Sequence, residues 1–353
     1  MTRVLALSLY GPKAASHRVR LAQYKPYLAE LGIHLDIQSL LCDSYIHRRF
    51  NGDSPLPTYL ISSYLKRIYA LLNARQYDAL IVYAELFTLL PYCFESLFLN
   101  VPYILDFDDA FYLRYKTGRL RFLSPFLGGK FDQLLRGASA VSAGNPHLAD
   151  YALLHNPKTF IIPSVVDTNH YRPSSTRSPI PCFTVGWIGS PSTSPYLHSL
   201  VQPLSSFARE RPVRLHVVGA SAPSIPGVQV IESQWSLDTE VQLLNQFSVG
   251  VMPLPDTPWT RGKCAYKLIQ CMACSKPVIA SPVGVNVHLV TPSTGFLART
   301  HDEWLSSFRL LADDPTLCSR LGLSGRDLVH RNFSLRSALP LLVQLIRNVA
   351  VNN

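Results

Sequence analysis

The sequence lacks several features that would assign it to a common class of protein. No apolar run reaches the roughly 18 residues that a helix needs to cross a bilayer. Charged residues make up only 16% of the chain and hydrophobic residues 47%, a composition that excludes intrinsic disorder. The first residues, MTRVLALSLYGPK, predict a strand and lack the small-residue cleavage pattern of a signal peptide. These absences leave a compact globular protein.

The cysteines do not form the pattern of a disulfide framework. There are seven, an odd number, and they are scattered at positions 42, 93, 182, 264, 271, 274 and 318. Cys271 and Cys274 form a C-x-x-C pair, but no histidine or second pair lies nearby, so we interpret them as buried thiols and not zinc ligands. The cysteine pattern therefore predicts a reducing, cytoplasmic setting.

Two nucleotide-binding motifs are also absent. Neither G-x-G-x-x-G nor a Walker A lysine loop occurs, which excludes the usual nicotinamide, flavin and P-loop sites. Short apolar strands nevertheless alternate with helical patterns along the whole chain, as in parallel sheets covered on both faces. We predict two doubly wound Rossmann-like domains facing across a cleft, with ligands beyond the carboxyl ends of the strands.

A Pro- and Ser-rich break at 172–182 separates the two halves. The predicted domains are 1–171, together with a C-terminal helix at 335–350, and 172–334. Strands are predicted at 4–9, 34–41, 78–83, 102–106, 138–143, 159–163, 184–188, 215–218, 228–231, 249–252 and 277–280. The longer predicted helices are 17–31, 58–74, 239–246, 266–273, 302–312, 315–329 and 335–348.

The stretch from Val249 to Asn286 carries the strongest signal of binding. Arg261, Lys263 and Lys267 fall within seven residues at the start of a predicted helix. A helix N-terminus presents unpaired N–H groups and partial positive charge, so added cations favour a diphosphate site. A solvated helix start is the alternative. The net charge of +10 also points to anionic partners.

Several strings of this chain resemble family 4 glycosyltransferases, of the glycogen-synthase-like or group 1 type. In the second half they are GWIGSPSTSPYL, ESQWSLDTEVQLL, MPLPDTPWTRGKCAYKLIQCMACSKPVIASPVGVN and DEWLSSFRLLADDPTLCSRLGLSGRDLV. The first half matches more loosely, through SHRVRLAQYKPYL, YAELF, VPYILDFDDAFYL and SAGNPHLADY. The resemblance covers nearly the whole chain and implies the two-domain GT-B fold.

The resemblance implies a retaining glycosyltransferase of hexosyltransferase type, which binds a nucleotide-sugar donor mainly with its C-terminal domain. The acceptor, a glycan or lipid-linked hydroxyl compound, is expected on the N-terminal domain. No metal or other cofactor is expected besides the nucleotide-sugar co-substrate, although DFDD superficially resembles a D-x-D metal motif. Departure of a nucleoside diphosphate creates negative charge, which cations and N–H donors stabilise.

Fourteen residues are candidates for the site. Those predicted to act in catalysis are Asp108, Lys263 and Lys267. Those predicted to bind the donor are Gly11, Arg18, Arg20, Gly189, Ser190, Trp235, Arg261 and Gln270. Those predicted to bind the acceptor are Glu85, Asp109 and Asn145.

Each candidate has a structural alternative. Arg18 and Arg20 match positions that face the donor phosphates, but they also fit surface charges on a helix. Asp108 stands where many family members have histidine, and it can accept a proton or bind the sugar. Asp109 and Glu85 fit helix capping equally well. Trp235 suits stacking on a nucleobase or simple packing.

The chain departs from the family at two places. The usual E-x7-E pattern falls on Gly262 and Gln270, so both glutamates are missing. The Arg and Lys that usually follow the first strand of the second domain fall within SPSTSP, where no cation occurs. Arg261, Lys263 and Lys267 are expected to compensate. A non-catalytic nucleotide- or glycan-binding relative, and a nucleotide-sugar epimerase, remain alternatives.

The segment from Phe111 to Phe122, FYLRYKTGRLRF, interleaves aromatics with four cations. This pattern suits an anionic membrane surface, and a solvated amphipathic face is the alternative. Nucleic acid suits the pattern too, but we expect none as a partner. The resulting expectation is a cytoplasmic protein with peripheral attachment to the inner face of a membrane.

Overall fold

The computed structural model describes residues 1–43, 45, 48, 57–174 and 182–351. The chain divides into two compact units. The first comprises 1–164, 262–264 and 338–353, and the second comprises 165–261 and 265–337. The break predicted at 172–182 lies mostly outside the described residues.

The first unit is built on a parallel sheet with the strand order β2-β1-β3-β4-β5-β6. Its strands are β1 (Thr2–Tyr10), β2 (Ile33–Leu41), β3 (Ala79–Tyr83), β4 (Tyr103–Phe107), β5 (Ala140–Ala143) and β6 (Thr159–Ile161). Every residue of β3, β4 and β5 is buried, which explains their nearly continuous apolar sequences. Since all pairs are parallel, the carboxyl ends of these strands share one edge of the sheet.

The helices of the first unit are partly irregular. They are a π-helix (His17–Leu21), α1 (Lys25–Glu30), α2 (Pro57–Leu72), α3 (Tyr92–Glu95), α4 (Ser124–Leu127), α5 (Lys130–Gly137) and α6 (Pro146–Leu153), with 3₁₀ turns at Ala22–Tyr24, Ala74–Gln76, Ser96–Phe98, Phe111–Leu113 and Gly118–Leu123. The helix predicted at 17–31 is thus broken into three pieces. Pro26, in the first turn of α1, explains the last of these breaks, because it has no N–H to continue the hydrogen-bond ladder of the preceding turn.

The second unit also contains a parallel sheet, in the order β12-β11-β10-β7-β8-β9. Its strands are β7 (Phe183–Ile188), β8 (Val213–Val218), β9 (Gln229–Ser233), β10 (Val249–Met252), β11 (Val278–Ala280) and β12 (Gly295–Leu297). The strand β12 was not predicted. Two separate apolar clusters pack this unit, one around Trp187 and Phe308 and the other around Phe247 and Met272.

The remaining helices follow the predicted pattern closely. They are α7 (Val201–Ala208), α8 (Glu240–Asn245), α9 (Pro258–Arg261), α10 (Tyr266–Ala273), α11 (Asn286–Leu289), α12 (His301–Asp313), α13 (Pro315–Asn332) and α14 (Leu335–Val351), with a 3₁₀ segment at Ser194–Leu200. A capping box between Thr300 and Glu303 begins α12, and the Asp314 side chain caps α13. The prediction of two doubly wound α/β domains is confirmed. No helix in the described ranges combines the length and apolar character needed to span a membrane.

Candidate functional site

The carboxyl edge of the first sheet gathers several predicted site residues. Asp108 and Asp109 follow β4, Glu85 lies two residues after β3, and Asn145 lies two residues after β5. These strands are neighbours in the sheet, so their following loops are brought together although they are far apart in sequence. The segment 262–264 belongs to the same unit and packs against them.

Asp108 is half-buried among polar groups at this edge. The Tyr83 hydroxyl donates to one carboxylate oxygen at 2.6 Å, and the Ser164 hydroxyl donates to the other at 3.4 Å. Burial, reinforced by the charge of Asp109, raises the pKa of Asp108 to about 6. A carboxyl group with that pKa is ionised only in part near neutral pH, so it is able to accept or hold a proton.

Asn145 joins the end of β5 to the segment 262–264. Its side-chain oxygen accepts from the Leu148 N–H at 2.9 Å and so caps α6. Its side-chain nitrogen donates to the carbonyl oxygens of Gly262 and Lys263 at 2.9 and 3.2 Å. Both sides of the amide are engaged by the protein. Asn145 therefore holds the segment 262–264 against the end of β5. Its predicted binding of the sugar acceptor stays a prediction.

Lys263 forms an ion pair with Asp109. The Lys263 ammonium lies 2.8 and 3.1 Å from the two carboxylate oxygens of Asp109, and both side chains keep some exposure. The next residue, Cys264, donates its thiol to the Asp108 carbonyl oxygen at 3.1 Å. Burial is the main reason that the pKa of this thiol is raised well above its ordinary value. Cys264 is therefore a neutral packing residue beside the two aspartates.

Gly262 has no room for a side chain. A Cβ atom placed there would lie 2.9 Å from the Ala110 Cβ, 3.1 Å from the Ala110 nitrogen and 3.1 Å from a Leu148 methyl carbon. This position is the one where the resembling family carries its first glutamate. The glutamate is thus incompatible with the close packing of 262–264 in this chain.

Arg20 is not a surface charge. Its guanidinium is buried and binds both oxygens of Asp106 at 3.0 and 2.5 Å, together with the Ile162 carbonyl at 2.7 Å. Burial opposes the charge of Arg20, but Asp106 outweighs it and raises the pKa above the ordinary value. The guanidinium N–H groups of Arg20 therefore bind protein groups inside the first unit.

Arg18 is partly exposed and Gly11 is buried in the loop that follows β1. The Arg18 guanidinium donates to the carbonyl oxygens of Pro12 and Lys13 at 2.9 and 2.7 Å. A Cβ at Gly11 would lie 2.7 Å from an Asp43 carboxylate oxygen. Both residues shape the turn after β1, and their predicted contact with the donor stays a prediction.

Glu85 belongs to a buried network of charges. Its oxygens lie 2.7 Å from both Arg114 and Lys130, and Lys130 also lies 2.8 Å from the buried Glu95. Burial is the largest influence on Glu95 and raises its pKa to about 7. Glu85 and Arg114 therefore bind each other, and both side chains are largely shielded from solvent.

In the second unit, Gly189 and Lys267 lie side by side at the carboxyl end of β7. A Cβ at Gly189 would lie 2.7 Å from the Lys267 Cε and 2.5 Å from the Trp187 ring. The Lys267 ammonium lies 5.1 Å from the centre of that ring, within range of a cation–π interaction. The absence of a side chain at Gly189 therefore makes space for Lys267, and Ser190 follows in the adjoining loop.

Gln270 lies in a buried polar network in place of the family's second glutamate. Its amide nitrogen donates to the Tyr171 hydroxyl at 3.1 Å and to Glu240 at 3.4 Å. Glu240 also accepts from Tyr171 at 2.6 Å and from the Trp235 indole nitrogen at 2.8 Å. A carboxylate is therefore present beside position 270, but it comes from α8. Trp235 is fixed by this contact at the end of β9.

The three cations predicted to act together have three different partners. Arg261 pairs with Asp256 at 2.6 Å on an exposed surface, Lys263 pairs with Asp109 in the first unit, and Lys267 contacts Trp187. Residue Ala265, which precedes α10, has φ of 53° and turns the chain sharply between Lys263 and Lys267. The spacing in sequence did not reveal this separation.

Ion pairs and hydrogen bonds also engage charges of the segment 111–122 and of DFDD. Within 111–122, Arg114 pairs with Glu85 and Lys116 pairs with Asp132 at 3.2 Å, so Arg119 and Arg121 are the cations of that segment that remain on the exposed surface. In DFDD, Asp106, Asp108 and Asp109 bind Arg20, Tyr83 and Lys263 respectively.

Cys271 and Cys274 are both buried, as predicted.

Three residues that contact the candidate site were not predicted from the sequence: Tyr83, Tyr171 and Lys130. Tyr83 ends a buried strand and reads as a core residue, and Tyr171 precedes the predicted domain break. Their partners lie 25 and 69 residues away, so only the fold brings the pairs together. For Tyr83, the signal in the sequence was a polar hydroxyl at the end of a buried strand.

Comparisons with known proteins agree with this architecture. Residues 183–314 match the family described as Glycosyl transferases group 1. The fold is similar to sucrose-phosphate synthase from Thermosynechococcus elongatus (TM-score 0.73, 16% identity, 100% of both chains) and to a glycosyltransferase from Rickettsia africae (TM-score 0.70, 15% identity, 100% of this chain and 99% of the other). It is also similar to HepE from Anabaena in complex with UDP-glucose (TM-score 0.68, 16% identity, 99% of this chain and 100% of the other). No curated protein is similar enough in sequence to match.

The two Rossmann-like units define a protein of the GT-B fold. Within the second unit, residues 183–314 match the group 1 glycosyltransferase family, which shows a glycosyltransferase domain in this part of the chain.

Proposed function

We propose that this chain is a retaining, metal-independent glycosyltransferase that moves a sugar from a nucleoside-diphosphate sugar to a hydroxyl group of a glycan or lipid-linked acceptor. The observation that carries the proposal is the adjacency of Gly189 and Lys267 at the carboxyl end of β7, inside the domain that matches the family. A lysine beside a glycine at a strand end is suited to a diphosphate, whose charge increases as it leaves.

The chemistry requires one bond to break and one to form. The bond between the anomeric carbon and the diphosphate oxygen breaks, and the diphosphate departs with the electron pair. The acceptor oxygen forms the new glycosidic bond and loses its proton. Asp108 is the proposed recipient of that proton, since its pKa of about 6 leaves much of it ionised near neutral pH. The remaining proposed roles are donor binding by the second unit and acceptor binding around Asp109 and Asn145.

The donor is proposed from the comparisons and from the charge of the chain. Structures of HepE contain UDP, or UDP with glucose, or UDP-glucose. These ligands belong to HepE, and they make UDP and UDP-glucose the first probes for this chain. A cytoplasmic location with peripheral attachment to an anionic membrane is part of the same proposal, and the net charge of +10 supports it.

One specific observation favours a second candidate function. Gly262 excludes the family's first glutamate by packing, and Gln270 replaces the second. A protein that binds nucleotide or glycan without catalysis would tolerate both changes.

The two candidates are separated by following UDP release from UDP-glucose, with and without a glycan acceptor mixture, alongside thermal shifts with UDP, GDP and ADP. A glycosyltransferase gives a shift with one nucleotide and acceptor-dependent release from the matching sugar. A binding relative gives the shift and no product. Absence of any nucleotide shift would contradict both.

A further inference from the structure

The helix α2 presents an apolar face to solvent. Ile61, Leu65, Tyr69 and Leu72 are each at least 61% exposed. They are spaced by four, four and three residues, so they form one continuous stripe along the helix. We call these four residues the α2 outer face. Contiguous exposed apolar side chains usually mark a surface that binds something.

The opposite face of α2 fixes the orientation of the helix. Ser63, Arg67 and Leu71 are buried against the first sheet. The Arg67 guanidinium donates to the carbonyl oxygens of Ser8, Gln38 and Leu86 at 2.6, 3.1 and 3.0 Å. If α2 rotated, the buried Arg67 guanidinium would lose these carbonyl acceptors. The α2 outer face therefore stays turned to solvent.

The charges on the helix α2 itself have one sign. The sequence contains no aspartate or glutamate between Asp53 and Asp78, whereas Lys66 and Arg75 are exposed. A protein partner that buries an apolar stripe needs no such bias in charge. An anionic bilayer does, since its headgroups attract cations while its acyl boundary accepts the apolar side chains.

A second surface in the same unit has the same chemistry. Phe122 and Phe126 are 74% and 79% exposed, and Arg119 and Arg121 lie on the exposed surface beside them. No acidic residue occurs between Asp109 and Asp132. We call these four residues the 119–126 patch.

Hydrogen bonds connect both surfaces to one loop. The Tyr64 hydroxyl of α2 binds the Thr88 hydroxyl at 2.8 Å, and the Tyr115 hydroxyl accepts from the Leu89 N–H at 3.1 Å. The loop at 88–89 therefore lies between α2 and the segment that leads to the 119–126 patch. Leu89 is itself exposed, which extends the apolar surface between the two.

We propose that the α2 outer face docks on an anionic lipid bilayer, with the 119–126 patch as a second contact. The proposal deepens the peripheral attachment in the proposed function by naming its surface, but vesicle binding does not depend on sugar transfer. A transferase held in this way meets a lipid-linked acceptor at the membrane surface.

The test is flotation of the full chain with phosphatidylcholine vesicles that do or do not contain phosphatidylglycerol, at low salt. Wild-type protein should float with the anionic vesicles and remain behind with the neutral ones. The double variant L65S/Y69S should lose at least about tenfold in the anionic partition coefficient, because two apolar side chains no longer insert. K66E should weaken binding to the anionic vesicles about fivefold, because it removes one attraction and adds one repulsion.

A matched control is available in the second unit. Leu310 and Leu323 are 50% and 64% exposed on α12 and α13, so L310S/L323S removes exposed apolar area away from α2. This control should float like wild type. Thermal melting and the UDP-induced thermal shift of L65S/Y69S should match wild type, which shows that the variant is folded and that its nucleotide site is unaffected.

Three outcomes would overturn the docking proposal. The first is wild-type protein that does not float with anionic vesicles, and the second is L65S/Y69S that floats like wild type. The third is a wild-type dimer in light scattering that L65S/Y69S dissociates, since the face would then bind a second copy of the chain. If vesicles bind as expected but UDP, GDP and ADP all give no thermal shift, the proposed function fails while the docking surface stands.

Discussion

Lys263 and Asp109 are 154 positions apart in sequence, yet the Lys263 ammonium lies within 2.8 and 3.1 Å of both Asp109 carboxylate oxygens. Asn145 holds the Lys263 carbonyl at 3.2 Å, so the backbone and the side chain of this lysine are both fixed. The ion pair joins the loop after β4 to the segment 262–264. A cation held in this way is positioned before any substrate arrives, which is the condition for electrostatic catalysis.

Lys263→Met should lower kcat for sugar transfer about 100-fold, because a positioned cation is lost from the developing negative charge. Arg331→Gln is the matched control, since Arg331 pairs with Asp327 on an exposed surface where ion pairs contribute little. Steady-state release of nucleoside diphosphate measures both. Equal effects of the two substitutions would contradict the assignment of Lys263, and recovery by Lys263→Arg would support it.

Asp108→Asn should remove a pH dependence from both activity and stability. The pKa of Asp108 is raised in the folded state to about 6, above its ordinary value, so its stabilising contribution is complete below about pH 4 and declines as pH rises through 6. Between pH 4 and 7 the wild type should lose about 2 kcal/mol relative to Asp108→Asn.

Denaturant unfolding at the two pH values measures this difference. If Asp108 accepts a proton in the reaction, the acid limb of the kcat profile near pH 6 should disappear in the variant, together with most of the activity. Parallel pH profiles for the two proteins would contradict this role. The retained amide can still accept the hydrogen bond from Tyr83, so a loss of folding is not expected.

Gly262→Ala should destabilise the protein by about 1–3 kcal/mol, since the added Cβ would lie 2.9 Å from Ala110 and force the packed loops apart. Gly129→Ala is the control, because a Cβ at Gly129 meets nothing within 4 Å. Denaturation midpoints compare the two. A Gly262→Glu variant that is folded and more active than wild type would show that the missing glutamate is not excluded by packing.

Arg20→Met should act on stability and not on the donor. Removing Arg20 leaves Asp106 buried without its cation, which should cost about 3–5 kcal/mol. Arg18→Met, at a partly exposed position, should change the unfolding free energy by less than about 1 kcal/mol. Chemical denaturation measures both, and UDP affinity should be unchanged in the folded fraction of Arg20→Met. A stable Arg20→Met variant with weakened UDP binding would restore the sequence-based prediction.

Lys267→Gln should weaken UDP binding at least about tenfold, because the cation beside Gly189 is lost from the proposed diphosphate site. Lys276→Gln is a control at the other end of α10, where the ammonium binds the Asn245 carbonyl at 2.7 Å. Isothermal calorimetry with UDP compares the variants. If Lys267→Gln binds UDP with wild-type affinity, the diphosphate does not bind beside Gly189.

Much of the fold was predictable from the sequence because its signals are local. The buried parallel strands are nearly continuous apolar runs, and α10 was predicted with the bounds that the structure has. Pro26 interrupts one predicted helix, and the strand β12 was not predicted. The candidate site was predictable only in part, since strand ends indicate where ligands bind but not which charges face one another.

By itself the sequence determined two doubly wound domains, the missing glutamates at 262 and 270, and a group of cations near α10. Only the tertiary structure decided how the charges are used. Arg20 and Glu85 are enclosed in buried ion pairs, Lys263 faces Asp109, and Lys267 lies beside Gly189. The physical reason is that an ion pair depends on distances of a few ångströms between loops that are far apart along the chain, and periodicity carries no information about those distances.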